Sequence, residues 1–212
     1  MPLALLTQNP LSFVAWVIAI LVALSTHEFM HALAGTLLGD STAKNQGRLT
    51  LNPIAHVDLI GFLALIFIGF GWGKPVPFNP HNLRYKRWGP SLVALAGPSA
   101  NFVVALSSMA VLKVLNITVA LPPGNLLLQF LHLLLLINII LMVFNLLPIP
   151  PLDGSKVLFG FLSSPRYNNL RYTLETRGPM ILILFIILDG FLGIGILSRL
   201  FGWIINFVYG FV

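Results

Sequence analysis

Apolar residues come in long blocks along this chain, and polar residues gather in the gaps between them. The first block covers 11–38 and predicts a helix. At 1.5 Å per residue it reaches about 42 Å, more than the roughly 30 Å hydrocarbon core of a bilayer. Such a helix tilts or protrudes at one end. Gly39, Asp40 and Ser41 stop it. Two later blocks, 89–115 and 125–147, predict further membrane-spanning helices. A shorter block at 54–70 is interrupted by His56, Asp58 and Gly61. A last one at 179–197 is weakened by Asp189 and Gly190, and 198–212 reads as an amphipathic or interfacial helix.

The gaps have their own patterns. Residues 47–53 (GRLTLNP) alternate polar and apolar, which suggests a short strand. Residues 71–80 (GWGKPVPFNP) cannot be helix, because their prolines favour extended backbone. Pro122, Pro123 and Gly124 read as a tight turn. The prolines at 148, 150 and 151 break the helix before Asp153, and 155–163 reads as an interfacial helix. A polar segment, 164–178, precedes the last block. The expected fold is an all-α polytopic membrane protein. It has a three-helix core, a re-entrant, β-hairpin-like element at about 47–80, and C-terminal helices over about 179–212. The whole of 1–212 is expected to form one integral-membrane domain.

Composition supports the membrane assignment. The chain is 57% hydrophobic and only 8% charged, with a mean hydropathy of +0.92. Soluble domains carry roughly 25% charged residues. The net charge of +6 arises from twelve Lys and Arg against six acids. Those cations lie in loops, where they act as topology determinants, and do not point to a nucleic-acid partner. There is no cysteine, so a metal site must be built from His and carboxylates. No Lys or Arg precedes Lys44, so the N-terminal region is not expected to be a cleaved signal peptide.

The chemistry sits inside the first block. His27, Glu28, Phe29, Met30 and His31 read H-E-x-x-H. On a helix, positions i and i+4 share a face, so both imidazoles can meet one metal ion. Glu28 can reach a water on that ion without ligating it. This is the zinc metalloprotease spacing. Catalytic zinc takes three protein ligands, so one is missing. An acid in an apolar setting is costly, and Asp153 follows a proline run where a spanning helix has just ended. It reads as the third ligand, with a helix cap as the alternative. His132 is the rival, but it lies about 20 Å along its helix from the Asp153 end. It reads as a packed polar residue.

Closing the site through Asp153 constrains the topology. The helices 11–38 and 125–147 then end on one membrane face. The 54–70 block then cannot cross once; it must dip in and return, or lie shallow. The cations from Lys44 to Arg87 and from Lys156 to Arg177 all fall on that face, with Lys113 opposite and Arg199 ambiguous. The excess marks the face as cytoplasmic. The N-terminus is then extracytoplasmic.

The residues HEFMH at 27–31, LNPIAHVD at 51–58, GWGKPVPFNP at 71–80, GPSAN at 97–101 and NLLPIPPLDG at 145–154 go further. Together they resemble the site-2 protease family of intramembrane zinc metalloproteases, in its minimal branch. The resemblance implies one Zn2+ on His27, His31 and Asp153, with Glu28 as catalytic acid/base. It places Asn101 and Asn145 near the active site. Asn145 could donate to an oxyanion or to substrate backbone, or cap a helix end. Asn101 fits a supporting role between helices, and His56 could line the re-entrant loop or hydrogen-bond within it. The resemblance also implies substrates that are single-span membrane proteins, cut within the bilayer. No PDZ or CBS domain is expected. A metal-binding transporter or channel, or an inactive scaffold of the same fold, are the alternatives. A transporter usually carries matched repeats, which are not seen here.

Overall fold

A computed structural model describes residues 2–119, 121–122 and 124–211. Its described residues are helical or irregular, with no strand among them. The element order is α1 (Pro2–Gln8), α2 (Pro10–Leu37), α3 (Thr42–Asn45), α4 (Leu59–Ile68), α5 (Gly89–Thr118), α6 (Leu126–Asn145), α7 (Asp153–Phe161), α8 (Asn168–Phe191) and α9 (Ile196–Tyr209). Short 3-10 turns at Pro53–Ala55 and Pro165–Tyr167 complete it.

Three helices, α2, α5 and α6, are long and apolar enough to cross a membrane. They pack on one another pairwise and form the centre of the molecule. Local chemistry sets their ends. Asn9 caps α2 by accepting from the Ser12 N–H at 3.1 Å, and Pro10 occupies the first turn, where its missing N–H costs nothing. Asn125 caps α6 by accepting from the Leu127 and Leu128 N–H groups. At the far end of α2 the chain turns through Gly39 at φ +103, a conformation L side chains avoid. Toward the N-terminal half of α2, Ala105, Leu112, Leu131, Leu135 and Ile139 of α5 and α6 form a buried apolar cluster, against which Ile204 and Val208 of α9 pack. His132 belongs to this region. Its Nδ1 donates to the Leu128 carbonyl, and its ring stacks on Tyr209 at 5.7 Å.

The 47–80 region returns on itself without crossing. At ten residues, α4 is about 15 Å long, half the hydrocarbon thickness. Asp58 caps its start by accepting from the Gly61 N–H at 2.8 Å, and Gly69 at φ +85 ends it. The segment 69–80 then folds back along it. Gly61 of α4 and Gly71 of this strap lie so close to the opposite segment that a Cβ at Gly61 would collide with Trp72 and one at Gly71 with Gly61 and Leu65.

The expected β-hairpin does not form. One isolated antiparallel bridge, Val57 to Gly73, is the only pairing among the described residues. Two causes are visible. Pro75, Pro77 and Pro80 cannot donate to a ladder. On the other side, the Thr50 carbonyl is taken by His56 Nε2 at 2.7 Å, and Asn52 opens a 3-10 turn.

Two further boundaries differ from the sequence reading. The segment 164–178 is expected to be a polar connection, yet α8 starts at Asn168 and continues through Pro179. Hydropathy marks only the part of a helix that faces lipid, and α8 begins outside it. The last helix is broken by a bend of 83° between α8 and α9. Gly193 and Gly195, at φ +64 and +68, turn the chain there, and Asp189 holds the bend. Its carboxylate accepts from the Ile196 N–H at 2.6 Å and the Leu197 N–H at 3.1 Å, so it caps α9 across the bend. Pro123 of the expected turn lies outside the described residues, as does Val212.

Candidate metal centre

The site forms where the C-terminal half of α2 meets α5 and the start of α7. His27 and His31 lie one turn apart on α2 and are buried. Their Nε2 atoms are 2.9 Å apart. Asp153, the first residue of α7, brings Oδ2 to 3.1 Å from His27 Nε2 and 3.3 Å from His31 Nε2. Asp153 does not cap its helix: the cap position is Leu152, and no side chain caps there. The three residues are placed as a group able to hold a metal ion.

The hydrogen bonds around the two imidazoles show what they present to one another. His31 Nδ1 faces the Val93 carbonyl at 2.7 Å, so that nitrogen donates. His27 Nδ1 faces Asn101 Oδ1 at 2.6 Å and also donates. Each neutral ring then carries its hydrogen on Nδ1 and a bare lone pair on Nε2. Two lone pairs and a carboxylate oxygen therefore converge. Asp153 Oδ2 is buried with no hydrogen-bond partner. Such an arrangement is repulsive unless a cation sits among the three atoms. Tetrahedral zinc with bonds of about 2.0–2.2 Å holds its ligand atoms roughly 3.3–3.6 Å apart, so the separations of 2.9, 3.1 and 3.3 Å need only open by a few tenths of an ångström to seat it. Gly97 supplies the room. A Cβ there would fall 2.6 Å from His27 Nε2 and collide with His31 Nε2 as well. The residues present fit a zinc ion.

Glu28 is buried beside this group, and its Oε2 accepts from the Val76 N–H at 3.1 Å. Val76 belongs to the strap 71–80, which is pinned at both ends. Near its start, Lys74 N–H donates to the His56 carbonyl at 2.7 Å, and Arg48 Nη2 donates to the Lys74 carbonyl. Further along, the Asn79 N–H donates to the Asp40 carboxylate at 2.7 Å. Asp40 also accepts from the Thr42 hydroxyl and N–H and from Asn82 Nδ2. Burial alone would raise the Asp40 pKa, but these donors hold it below the usual carboxylate range.

A cleft of about 820 Å³ opens onto the site. His27, Glu28, His31 and Asp153 line it with Phe62 and Leu65 of α4, Trp72 and Val76 of the strap, and Ile186 and Phe201 of the bent pair α8 and α9. Asn145 lines it too, and its Nδ2 donates to the Leu141 carbonyl at 3.0 Å. His56 is fully buried in the loop at 48–56 and does not line the cleft. Its two nitrogens face the Thr50 carbonyl and Arg48. His132 lies in the apolar cluster described above, away from the ligand group.

Sequence reasoning passed over four elements of this site. They are the Val93 carbonyl, Gly97 as the space between the imidazoles, the Val76 N–H, and Asn138. Only Asn138 carries a signal of its own, as an amide in the middle of an apolar span.

Residues 119–188 match the model of "Peptidase family M50". The chain is 39% identical over 155 residues to the "Putative zinc metalloprotease YwhC" of Bacillus subtilis, covering 70% of each. It is 32% identical over 213 residues to the "Putative zinc metalloprotease Rip2" of Mycobacterium tuberculosis, covering 96% of this chain and 76% of that one. A Rip2 of Mycolicibacterium smegmatis is 34% identical over 72% of this chain and 60% of its own length. No solved structure matches at a comparable level. With three apolar spans, a ligand group on H-E-x-x-H and L-D-G residues, and these relatives, the chain belongs to peptidase family M50, the site-2 proteases.

Proposed function

We propose that this chain is an intramembrane zinc metallopeptidase that hydrolyses peptide bonds within the transmembrane segments of single-span membrane proteins. The observation that carries this reading is the convergence of His27 Nε2, His31 Nε2 and Asp153 Oδ2 at a cleft among membrane-spanning helices, with Glu28 beside them. One Zn2+ held by these three atoms would supply Lewis acidity, acidifying a water and polarising the scissile carbonyl. Glu28 is the acid/base. Val76 N–H holds Oε2 and leaves Oε1 to take the proton from the attacking water. Glu28 then passes that proton to the amide nitrogen as the peptide C–N bond breaks, giving a new amine and a new carboxylate. Asn145 has one N–H committed to Leu141 and uses the other on the oxyanion or the substrate backbone.

A helix hides its own peptide bonds, so the substrate must unwind locally before attack. The strap 71–80 is free of helix, lines the cleft and is fixed against Glu28, which makes it the surface for an unwound segment to lie along. Residues 47–51 do not line the cleft. They support the strap through Arg48, which donates to the Lys74 carbonyl beside His56. In this reading His56 acts on substrate only by holding the strap in place. The reading puts the site toward the cytoplasmic side of a multi-pass membrane protein, with the N-terminus outside, and what supports it is the cation excess in the loops flanking the site. Because the chain lacks cysteine, single introduced cysteines at Thr50 and Thr118 report this orientation by labelling from one side of intact cells.

The test of the activity uses full-length chain in liposomes with candidate single-span proteins, and mass spectrometry of the products. Wild type should cut inside the span, and Glu28→Gln should not. Equal cleavage by both, or cuts confined to soluble loops, would sink the reading.

A further inference from the structure

Asn138 lies in the middle of α6, is completely buried, and belongs to none of the motifs at the metal centre. Its neighbours Leu134, Leu135, Ile137 and Ile139 are aliphatic. A primary amide in that setting is costly unless its hydrogen bonds are made. They are made in one direction only. Asn138 Nδ2 donates to the Leu134 carbonyl of its own helix at 2.7 Å. A carbonyl can only accept, so the Asn138 oxygen must face the other way, toward α5. There Oδ1 accepts from Asn101 Nδ2 at 2.8 Å.

This contact decides which way the Asn101 amide points. Asn101 Nδ2 has a second acceptor, the Ala23 carbonyl at 3.1 Å, but the Thr26 hydroxyl also donates to that oxygen, at 3.1 Å. With Nδ2 committed to Asn138, Asn101 Oδ1 faces His27 Nδ1 at 2.6 Å. The His27 hydrogen is therefore on Nδ1, and Nε2 offers its lone pair to the ligand group. A flipped Asn101 amide would present N–H to Nδ1. His27 would then carry its hydrogen on Nε2, where the metal belongs.

We infer that Asn138 is a positioning residue for the metal site: through Asn101 it fixes the tautomer in which His27 can ligate. Polarity is passed from the Leu134 backbone carbonyl through two buried amides to the imidazole, across α6, α5 and α2. The inference rests on the zinc reading above. Its test therefore measures zinc binding itself rather than cleavage.

The experiment uses the purified full-length chain in detergent, stripped and then titrated with zinc alone against a chelator. Asn138→Leu weakens zinc binding by roughly 10-fold, the lower end of what an outer partner of a ligating histidine is worth. Asn138→Asp, whose buried carboxyl keeps an acceptor oxygen and a donor hydroxyl, stays near wild type. The decisive comparison is made in an Asn101→Asp background. A carboxylate has two equivalent oxygens and cannot be flipped wrongly, so Asn138→Leu costs little there. Equal losses of affinity in both backgrounds would show that Asn138 serves packing alone, and would overturn the inference. So would wild-type affinity in Asn138→Leu. Nitrogen-15 histidine spectra of the zinc-free wild type give a reading that needs no variant to fold. The hydrogen of His27 is expected on Nδ1, and finding it on Nε2 overturns the inference. A wild-type chain that binds no zinc removes the zinc reading and this inference together, whereas zinc binding without the Asn138 dependence removes only the latter.

Discussion

In one part of the three-helix core, His27, His31, Asn101 and Asn138 bring polar atoms into the buried interior, and each makes directed hydrogen bonds. At the other end, Ala105, Leu112, Leu131 and Leu135 fill the same kind of space with side chains that need no partner. His132 sits at this second end and shows the contrast most simply. One of its ring nitrogens returns to its own helix, and its ring stacks on Tyr209. His27 has both nitrogens aimed at other helices. A buried histidine is thus not a site in itself. It becomes one when its second nitrogen is left bare against other electron-rich atoms. The polar end forgoes packing stability for directionality, and the apolar end supplies the rigidity that makes the directions hold.

The comparison can be broken at either end. The largest expected effect is chemical. Glu28→Gln should lower cleavage by about 10²–10⁴-fold, the range for a general base, while leaving zinc content unchanged. Zinc loss in that variant would mean that Glu28 shapes the ligand group instead of acting on the water. Next comes Gly97→Ala. Its methyl would occupy the space between the two Nε2 atoms, so the purified protein should lose most of its bound zinc yet keep its helicity. Full zinc occupancy would show that the helices yield at this contact. At the apolar end, Leu135→Ala should lower stability by about 2 kcal/mol, the low end for such a truncation, because lipid is as apolar a reference as the core. Its zinc content should match wild type; a parallel loss would join the two ends into one unit.

The smallest effect is electrostatic and lies outside the membrane. Asp40 is held below its ordinary pKa by Thr42, Asn82 and Asn79, so its ionised form stabilises the fold. A depressed folded pKa means that this stability is present above the unfolded value of about 3.9 and is lost as pH falls through the folded one. Asp40→Asn should therefore lower the thermal midpoint near neutrality, with the gap to wild type closing below about pH 4. A gap independent of pH would assign the contribution to geometry alone.

Part of this is legible in the residues alone. The i, i+4 pair His27 and His31, and an acid placed after prolines in an apolar chain, announce a ligand set because few other roles repay their cost. The three spans follow from unbroken apolar runs. The rest depends on how helices rotate against one another. Which face of α5 meets α2 decides that Gly97, and not Ser99, lies against the imidazoles. The same rotation brings Asn138 to Asn101. No local pattern encodes either contact. The strand expected at 47–53 failed for a related reason. Alternation describes only one side of a ladder, and the partner segment carries prolines. The start of α8 at Asn168 escaped because hydropathy reports lipid contact and not helix length.

The central claim is that three particular side chains, on α2 and α7, hold one metal ion. It is tested most directly by the zinc content of purified wild type, Asp153→Ala and His132→Ala, measured by elemental analysis on folded protein. The account predicts one zinc per chain in wild type and in His132→Ala, and close to none in Asp153→Ala. Retention of zinc by Asp153→Ala, or its loss from His132→Ala, would contradict the account.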